Sequence, residues 1–173
     1  SSELVLGKKR SEKFANKIFN LLLIGLLLIV LIIEIFMPSF VFIIAPGFSD
    51  NSDKLDLTIS LTRITFPFLL FVSLSSFFSA VLNSHNKFAV ASAAPIILNI
   101  FLILVLILQS YLKDDLVFYL SYAVTFAGII QLIFLLFFIK KFYFPIIKFN
   151  FTIDDKVKLF FKKLLPSIFS SGV

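Results

Sequence analysis

Cysteine is absent from the 173 residues, histidine occurs once and glycine five times. The absence of cysteine excludes disulfide bonds and thiolate metal sites. One histidine supplies too few ligands for a metal site, and there is no glycine-rich phosphate-binding fingerprint, so no metal or cofactor is predicted. Charge is also scarce, at 15% of residues against about 25% in soluble domains. A water-soluble enzyme, a DNA-binding module and a disordered tail are therefore excluded.

Apolar sequence is abundant and is arranged in long blocks. Hydrophobic residues make up 60% of the chain and its mean hydropathy is +1.06. A helix needs about 20 apolar residues to cross about 30 Å of hydrocarbon, and four blocks are long enough. The prediction is an all-α polytopic bundle with a basic segment at 1–17, transmembrane helices at 18–44, 57–82, 88–108 and 116–139, a linker at 140–155 and the start of a further transmembrane helix at 156–173.

Lysine and arginine are unevenly shared among the segments between these blocks. Five basic residues fall at 8–17 and seven at 140–163, and the 83–87 turn carries Lys87 without an acid. Residues 50–56 and 109–115 each carry one lysine, against three and two aspartates. The positive-inside rule therefore predicts an inside location for 1–17, 83–87 and 140–163 and an outside location for 45–56 and 109–115.

The net charge of +6 has two interpretations. In a soluble protein it would suggest nucleic-acid binding. Here the basic residues lie in short clusters beside apolar helices, where anionic lipid headgroups are the nearer partner. The sequence therefore predicts contact with anionic membrane lipids and no nucleic-acid partner.

Polar and small residues recur at helical spacing within three of the predicted helices. They are Ser73, Ser76, Ala80 and Asn83 in the second, Ala91, Pro95 and Asn99 in the third, and Ser121, Thr125, Gly128 and Gln131 in the fourth. Unpaired polar groups are costly in hydrocarbon, so each helix has one face unsuited to lipid. These faces either pack against one another or line a water-filled cavity, and polar faces on helices with mid-span prolines are typical of transporters.

Three ionisable residues near the predicted membrane boundaries need an explanation. Arg63 either reaches the outer interface and pairs with Asp56, or points inward and helps to hold an anionic group. Glu34 is solvated at the outer interface or contacts Arg63. His85 has no carboxylate close to it in sequence and is expected to be solvated. None of them completes a catalytic or metal-binding constellation, so the chain is predicted not to be an enzyme.

Three stretches of the chain carry a recognisable pattern, namely LTRITFPF at 61–68, AVLNSHNKFA at 80–89 and APIILNI at 94–100. Together they resemble the MurJ/MviN lipid II flippases. The APGF ending at 45–48 and the closing segment from Leu165 are also similar to that family. The resemblance implies that the chain corresponds to helices three to six and the beginning of helix seven. They would belong to the N-terminal lobe of a fourteen-helix flippase of the MATE-like (MOP) exporter superfamily.

The same resemblance implies a function, a location and partners. The function is alternating-access translocation of a lipid-linked peptidoglycan precursor of the undecaprenyl-pyrophosphate type across the bacterial inner membrane. Inside and outside would then be cytoplasm and periplasm, and the other partners would be the remaining helices of the same protein. The family's cavity arginines lie mainly on helices outside this sequence, and they would bind the pyrophosphate. The matching residues Arg63, Pro67, Asn83, Pro95 and Asn99 would be mainly structural or lobe-lining.

Two alternatives stay open at this point. One is another exporter of the superfamily, either a drug/cation antiporter or a flippase for lipid-linked oligosaccharide. The other is a membrane scaffold subunit that transports nothing, whose polar faces would be packed without water. The candidate residues for a substrate cavity or lobe lining are Arg63, Ser76, Asn83, Pro95, Asn99, Thr125 and Gln131.

Overall fold

The computed structural model describes residues 7–48, 51–108 and 116–147, together with Leu159 and Lys162. Regular structure in these residues is helical throughout: α1 Lys8–Ile35, α2 Met37–Ile44, a 3₁₀ turn Pro46–Phe48, α3 Ser52–Thr65, α4 Phe68–Ser84, α5 Phe88–Leu108 and α6 Leu116–Ile139. The all-α prediction is confirmed. The predicted loop at 109–115 lies outside the described residues, and so does the predicted helix at 156–173 apart from helical Leu159 and Lys162.

Four helical stretches among the described residues are long and apolar enough to cross a membrane. They are Ser11–Ile35, Ser52–Ser84, Phe88–Leu108 and Leu116–Ile139, with 25, 33, 21 and 24 residues. A helix rises about 1.5 Å per residue, so each stretch spans the roughly 30 Å of a bilayer core. The chain therefore has the architecture of a polytopic helical bundle.

The first two stretches differ in their bounds from the helices predicted at 18–44 and 57–82. Helix α1 begins ten residues before Ile18, because lysine-rich sequence is unfavourable in hydrocarbon but favourable in a helix. The chain then breaks at Phe36, and Pro38 lies in the first turn of α2, where its missing N–H costs nothing. The second stretch starts at an Asn51 N-cap, whose side chain accepts from the Lys54 N–H at 3.1 Å.

The chain folds as two compact units, Leu23–Phe144 and a smaller unit formed by Ser1–Leu22 with Pro145–Val173. In the smaller unit two asparagines hold the backbone of Ile146. Asn20 Nδ2 donates to the Ile146 carbonyl at 2.9 Å and to the Asn16 carbonyl at 2.7 Å. Asn16 Oδ1 accepts from the Ile146 N–H at 2.9 Å. These hydrogen bonds fix residues 145–147 against the start of α1.

In the larger unit α6 packs against α3, α4 and α5. Its buried residues are Ser121, Ala123, Ala127, Gly128, Gln131, Leu135 and Ile139. Small side chains on this face allow the helix backbones to approach closely, which is how helices associate where lipid is as apolar as leucine. The opposite faces expose large apolar side chains such as Ile103, Leu104 and Phe126, as expected for surfaces that meet lipid.

Candidate functional site

An open groove of about 390 Å³ lies between α4, α5 and α6 in the larger unit. Its lining residues are Phe68, Val72, Ser76, Ser79, Ala80 and Asn83 of α4, Ala91, Pro95 and Leu98 of α5, and Gln131 of α6. Positions three and four apart share one face of a helix, so each lining set is a single stripe. The groove exists because these stripes are largely small side chains.

The lining is mostly apolar, and its four polar side chains, Ser76, Ser79, Asn83 and Gln131, carry no formal charge. Ser76 Oγ donates to the Val72 carbonyl at 2.9 Å, so its own helix satisfies the hydroxyl proton. Gln131 is only 5% exposed, and it places an amide, with donors and an acceptor, in the groove wall. The exposed Asn83 adds a second amide near the end of α4. Such a lining can hydrogen-bond to hydroxyl and amide groups, but it has no cation to neutralise a phosphate.

Four of the seven sequence-predicted site residues meet in this groove, namely Ser76, Asn83, Pro95 and Gln131. The other three lie elsewhere. Asn99 is exposed on α5, one turn beyond Pro95. Thr125 is partly buried, and its hydroxyl donates to the Ile64 carbonyl at the end of α3.

Arg63 is the third predicted residue outside the groove. It is exposed in the last turn of α3. Its positive charge acts on the Glu34 carboxylate near the end of α1. Glu34 Oε1 is buried without a hydrogen-bond partner. Arg63 and Glu34 lie near one another, at the end of the larger unit where α1 ends.

An aromatic and basic cluster lies at the opposite end of the larger unit. The imidazole of His85 stacks on the ring of Phe142, with the ring centroids 4.8 Å apart. Lys87 Nζ lies 5.9 Å from the same ring centroid. The expectation that His85 is solvated is wrong, since the side chain is half-buried in this stack. Tyr143 beside it is 3% exposed, and burial raises the pKa of its hydroxyl, so it stays neutral at physiological pH.

Sequence reasoning missed the apolar part of the groove. Val72 lies four residues before Ser76, and Leu98 lies three residues after Pro95, so both continue stripes that were visible in the sequence. Phe68 is one further turn back along α4. Extending each polar stripe by one helical turn would have found Val72 and Leu98, and a second turn would have found Phe68. Apolar side chains in an apolar helix carry no other signal.

Comparison with known proteins gives a consistent result over the whole length. Residues 3–173 match the family model described as lipid II flippase MurJ. The chain is 38% identical to a probable lipid II flippase MurJ of Rickettsia prowazekii, covering 100% of this chain and 34% of the relative. It is 39% identical to a protein of the same description from Rhizobium tropici, over 73% of this chain and 24% of the relative.

A lipid II flippase MurJ of Burkholderia cenocepacia is 34% identical over 92 residues, which are 53% of this chain and 18% of the relative. The matched part of the sequence therefore spans between 18% and 34% of the length of these curated relatives.

Proposed function

Because the chain belongs to the lipid II flippase MurJ family, we propose that it forms part of a transporter that moves a lipid-linked peptidoglycan precursor across the membrane by alternating access. Family membership and four apolar helices identify a multi-pass bacterial membrane protein. The observation that carries the proposal is the groove between α4, α5 and α6, in which four polar side chains lie among apolar ones, since three helical stretches long enough to span a bilayer contribute to it.

The groove suits one part of such a substrate. Peptidoglycan precursors carry sugar hydroxyls and peptide amides, which the amides of Gln131 and Asn83 and the hydroxyl of Ser76 can hydrogen-bond. The pyrophosphate needs cations that this lining lacks. We therefore propose that these helices form part of the surface along which the headgroup of the substrate moves. The phosphate-binding charges belong to other helices of the protein.

The proposal includes a location and an orientation. The protein lies in the bacterial inner membrane, with residues 1–17, 83–87 and 140–163 in the cytoplasm and 45–56 and 109–115 in the periplasm. Lysine counts in these segments support this direction. Lys87, Lys140 and Lys141 are exposed together with the His85 stack at one end of the larger unit. Anionic headgroups of the inner leaflet are the partners that this charge favours.

The proposal also holds that no bond of the substrate is made or broken by this part of the protein. The groove contributes hydrogen bonding and shape, and it combines no nucleophile with a general base. The scaffold alternative differs in one physical respect, because it requires the groove to be closed to water in every state.

A translocation assay tests the function. The complete polypeptide containing these residues is placed in a bacterium depleted of its own lipid II flippase, and outer-leaflet precursor is measured. The wild type should restore translocation. Gln131→Leu, which keeps the volume and removes the buried amide, should reduce the rate about tenfold. Ile133→Leu is the matched control, since Ile133 is exposed on the same helix outside the groove. Restoration of drug or oligosaccharide export without precursor translocation would favour another exporter.

Cysteine labelling tests the groove itself. The 173 residues contain no native cysteine, so single cysteines at Ser76 and Asn83 can be probed with a membrane-impermeant thiol reagent. Both should react from at least one side of the membrane, whereas a cysteine at the exposed apolar position Leu104 should not. Failure of both groove positions to react in intact and permeabilised cells would favour the scaffold alternative.

A further inference from the structure

The helical stretch Ser52–Ser84 is interrupted beside the groove. Helix α3 ends at Thr65 and α4 begins at Phe68. Pro67 has no N–H, so the Arg63 carbonyl loses the donor that would normally follow four residues later. Beyond it, Leu69 donates to Phe66 at 3.0 Å and Leu70 to Pro67 at 3.1 Å, three residues back instead of four. The hydrogen-bond ladder is thus weakest at this point, which is where a helix bends.

Threonine hydroxyls donate hydrogen bonds to backbone carbonyls on the α3 side of the break. Thr62 Oγ donates to the Thr58 carbonyl at 2.7 Å, and Thr65 Oγ donates to the Leu61 carbonyl at 3.0 Å. Both bonds stay within α3. Thr125 differs, because it donates to the Ile64 carbonyl from a helix 61 residues further along the chain. This bond ties the last turn of α3 to α6.

Gly128 of α6 contacts the α4 side of the break. It lies three residues after Thr125, on the same face of α6. A Cβ atom at this position would fall 2.6 Å from Phe68 Cδ2 and 3.1 Å from Phe71 Cβ. The missing side chain therefore allows the first turn of α4 to rest directly on α6. Thr125 and Gly128 contact the two sides of one break.

We propose that Thr125 and Gly128 position the break between α3 and α4, that the helix bends at this break to two different angles, and that the Thr125 hydroxyl stabilises one of them. The bend angle then sets the width of the groove. Phe68, the first residue after the break, lines the groove, and Gln131 lines it from the next turn of α6. A change of angle therefore moves α4 relative to the groove wall on α6. Alternating access requires an element with two discrete arrangements. This inference rests on the proposed function and assigns that element to these residues.

Spin-label distances in the complete polypeptide test the inference. Labels at Ser60 and Ser84 lie on opposite sides of the break, and both positions are exposed and outside the groove. Loss of one hydrogen bond that is made in only one arrangement should shift the ratio of two distance populations about fivefold. Thr125→Val removes the hydroxyl at nearly constant volume and should cause this shift. Thr125→Ser keeps the hydroxyl and should restore the wild-type ratio.

Ser121→Ala is the matched control. Ser121 is buried one turn earlier on α6, and its hydroxyl donates within the helix, to the Val117 carbonyl at 2.9 Å. It should leave the distances unchanged. If Thr125→Val misfolds, Thr125→Ala removes the same hydroxyl with less branching and is measured in its place. An unchanged ratio in the folded variant, or an equal shift in Ser121→Ala, would overturn the inference.

The distances are read without substrate, so the two proposals fail separately. A wild type that does not translocate the precursor overturns the proposed function, whatever the distances show. Normal translocation with distances that do not respond to Thr125→Val overturns the role of the break alone. A shift in distances accompanied by a matching fall in translocation supports both.

Discussion

Helices α5 and α6 are alike in sequence character and unlike in position. They have 21 and 24 residues, and both are strongly apolar. In an apolar 18-residue segment of α5 only 11% of the residues are buried in the structure, against 33% in the corresponding segment of α6. Hydropathy therefore predicts that both helices enter the membrane, but it does not predict which of them lies at the centre of the bundle. Small residues make that distinction, because only a helix with a small-residue face can be approached on several sides.

The two helices also share the groove unequally. Helix α5 lines it with Ala91, Pro95 and Leu98, all in its first half, and its second half exposes residues such as Ile103 and Ile107. Helix α6 contributes the single residue Gln131 but holds the neighbouring helices in place through its packed face. Helix α5 thus lines the groove with one half and exposes apolar residues with the other, whereas α6 mainly packs against the neighbouring helices. Three predictions, each a pair of substitutions, sharpen or break this comparison.

The largest effect is expected from Gly128→Leu on α6. A Cβ there lies 2.6 Å from Phe68 Cδ2, a distance that real Cβ atoms almost never show, and 3.1 Å from Phe71 Cβ, which is tighter than most real contacts. The Phe68 ring must therefore shift, and the rest of the leucine side chain pushes α4 away from α6. We expect the free energy of unfolding to fall by about 3 kcal/mol, at the upper end of overpacking costs. Melting in detergent of the complete polypeptide measures this. Gly25→Leu is the control, since nothing lies within 4 Å of a Cβ at Gly25. Equal losses would mean that α6 is not the close-packed helix.

The next prediction compares a leucine-to-alanine substitution in the two helices. Leu135 of α6 is fully buried, whereas Leu104 of α5 is 49% exposed. Since lipid is as apolar as leucine, Leu135→Ala loses mainly packing contacts and should cost about 1–3 kcal/mol, less than in a soluble core. Leu104→Ala should cost less than about 0.5 kcal/mol. The same melting assay measures both, and a larger loss at Leu104 would show that other helices of the protein cover α5.

What the sequence could predict follows the same division. The helix bounds 88–108 and 116–139 were predictable because long apolar runs with polar ends specify a helix of membrane-spanning length. The groove was partly predictable, since stripes of small and polar residues mark packed faces. The break was not, although Pro67 was visible, because a proline can also be accommodated in a continuous transmembrane helix. Its position depends on Thr125 and Gly128, which are about 60 residues away in sequence.

Thr125 and Asn99 show why a polar residue's role cannot be assigned from its stripe alone. Both continue a polar stripe at helical spacing, and both were predicted to line a cavity or a lobe. In the structure Thr125 turns its hydroxyl to a backbone carbonyl of another helix, and Asn99 is exposed on the outer part of α5. Rotating a helix about its own axis by a few tens of degrees would move its polar stripe into or out of the groove. The packing of the neighbouring helices sets that rotation.

Asn99 provides the smallest predicted effect. Asn83 lines the groove and Asn99 does not, so the same change to leucine separates groove contact from mere polarity. Asn83→Leu should lower precursor translocation about fivefold through a lost hydrogen bond. Asn99→Leu should change it less than about twofold, because an exposed amide on a lipid-facing half loses nothing by becoming apolar. Translocation in the depleted bacterium measures both. A larger loss at Asn99 would place partner helices or substrate against α5.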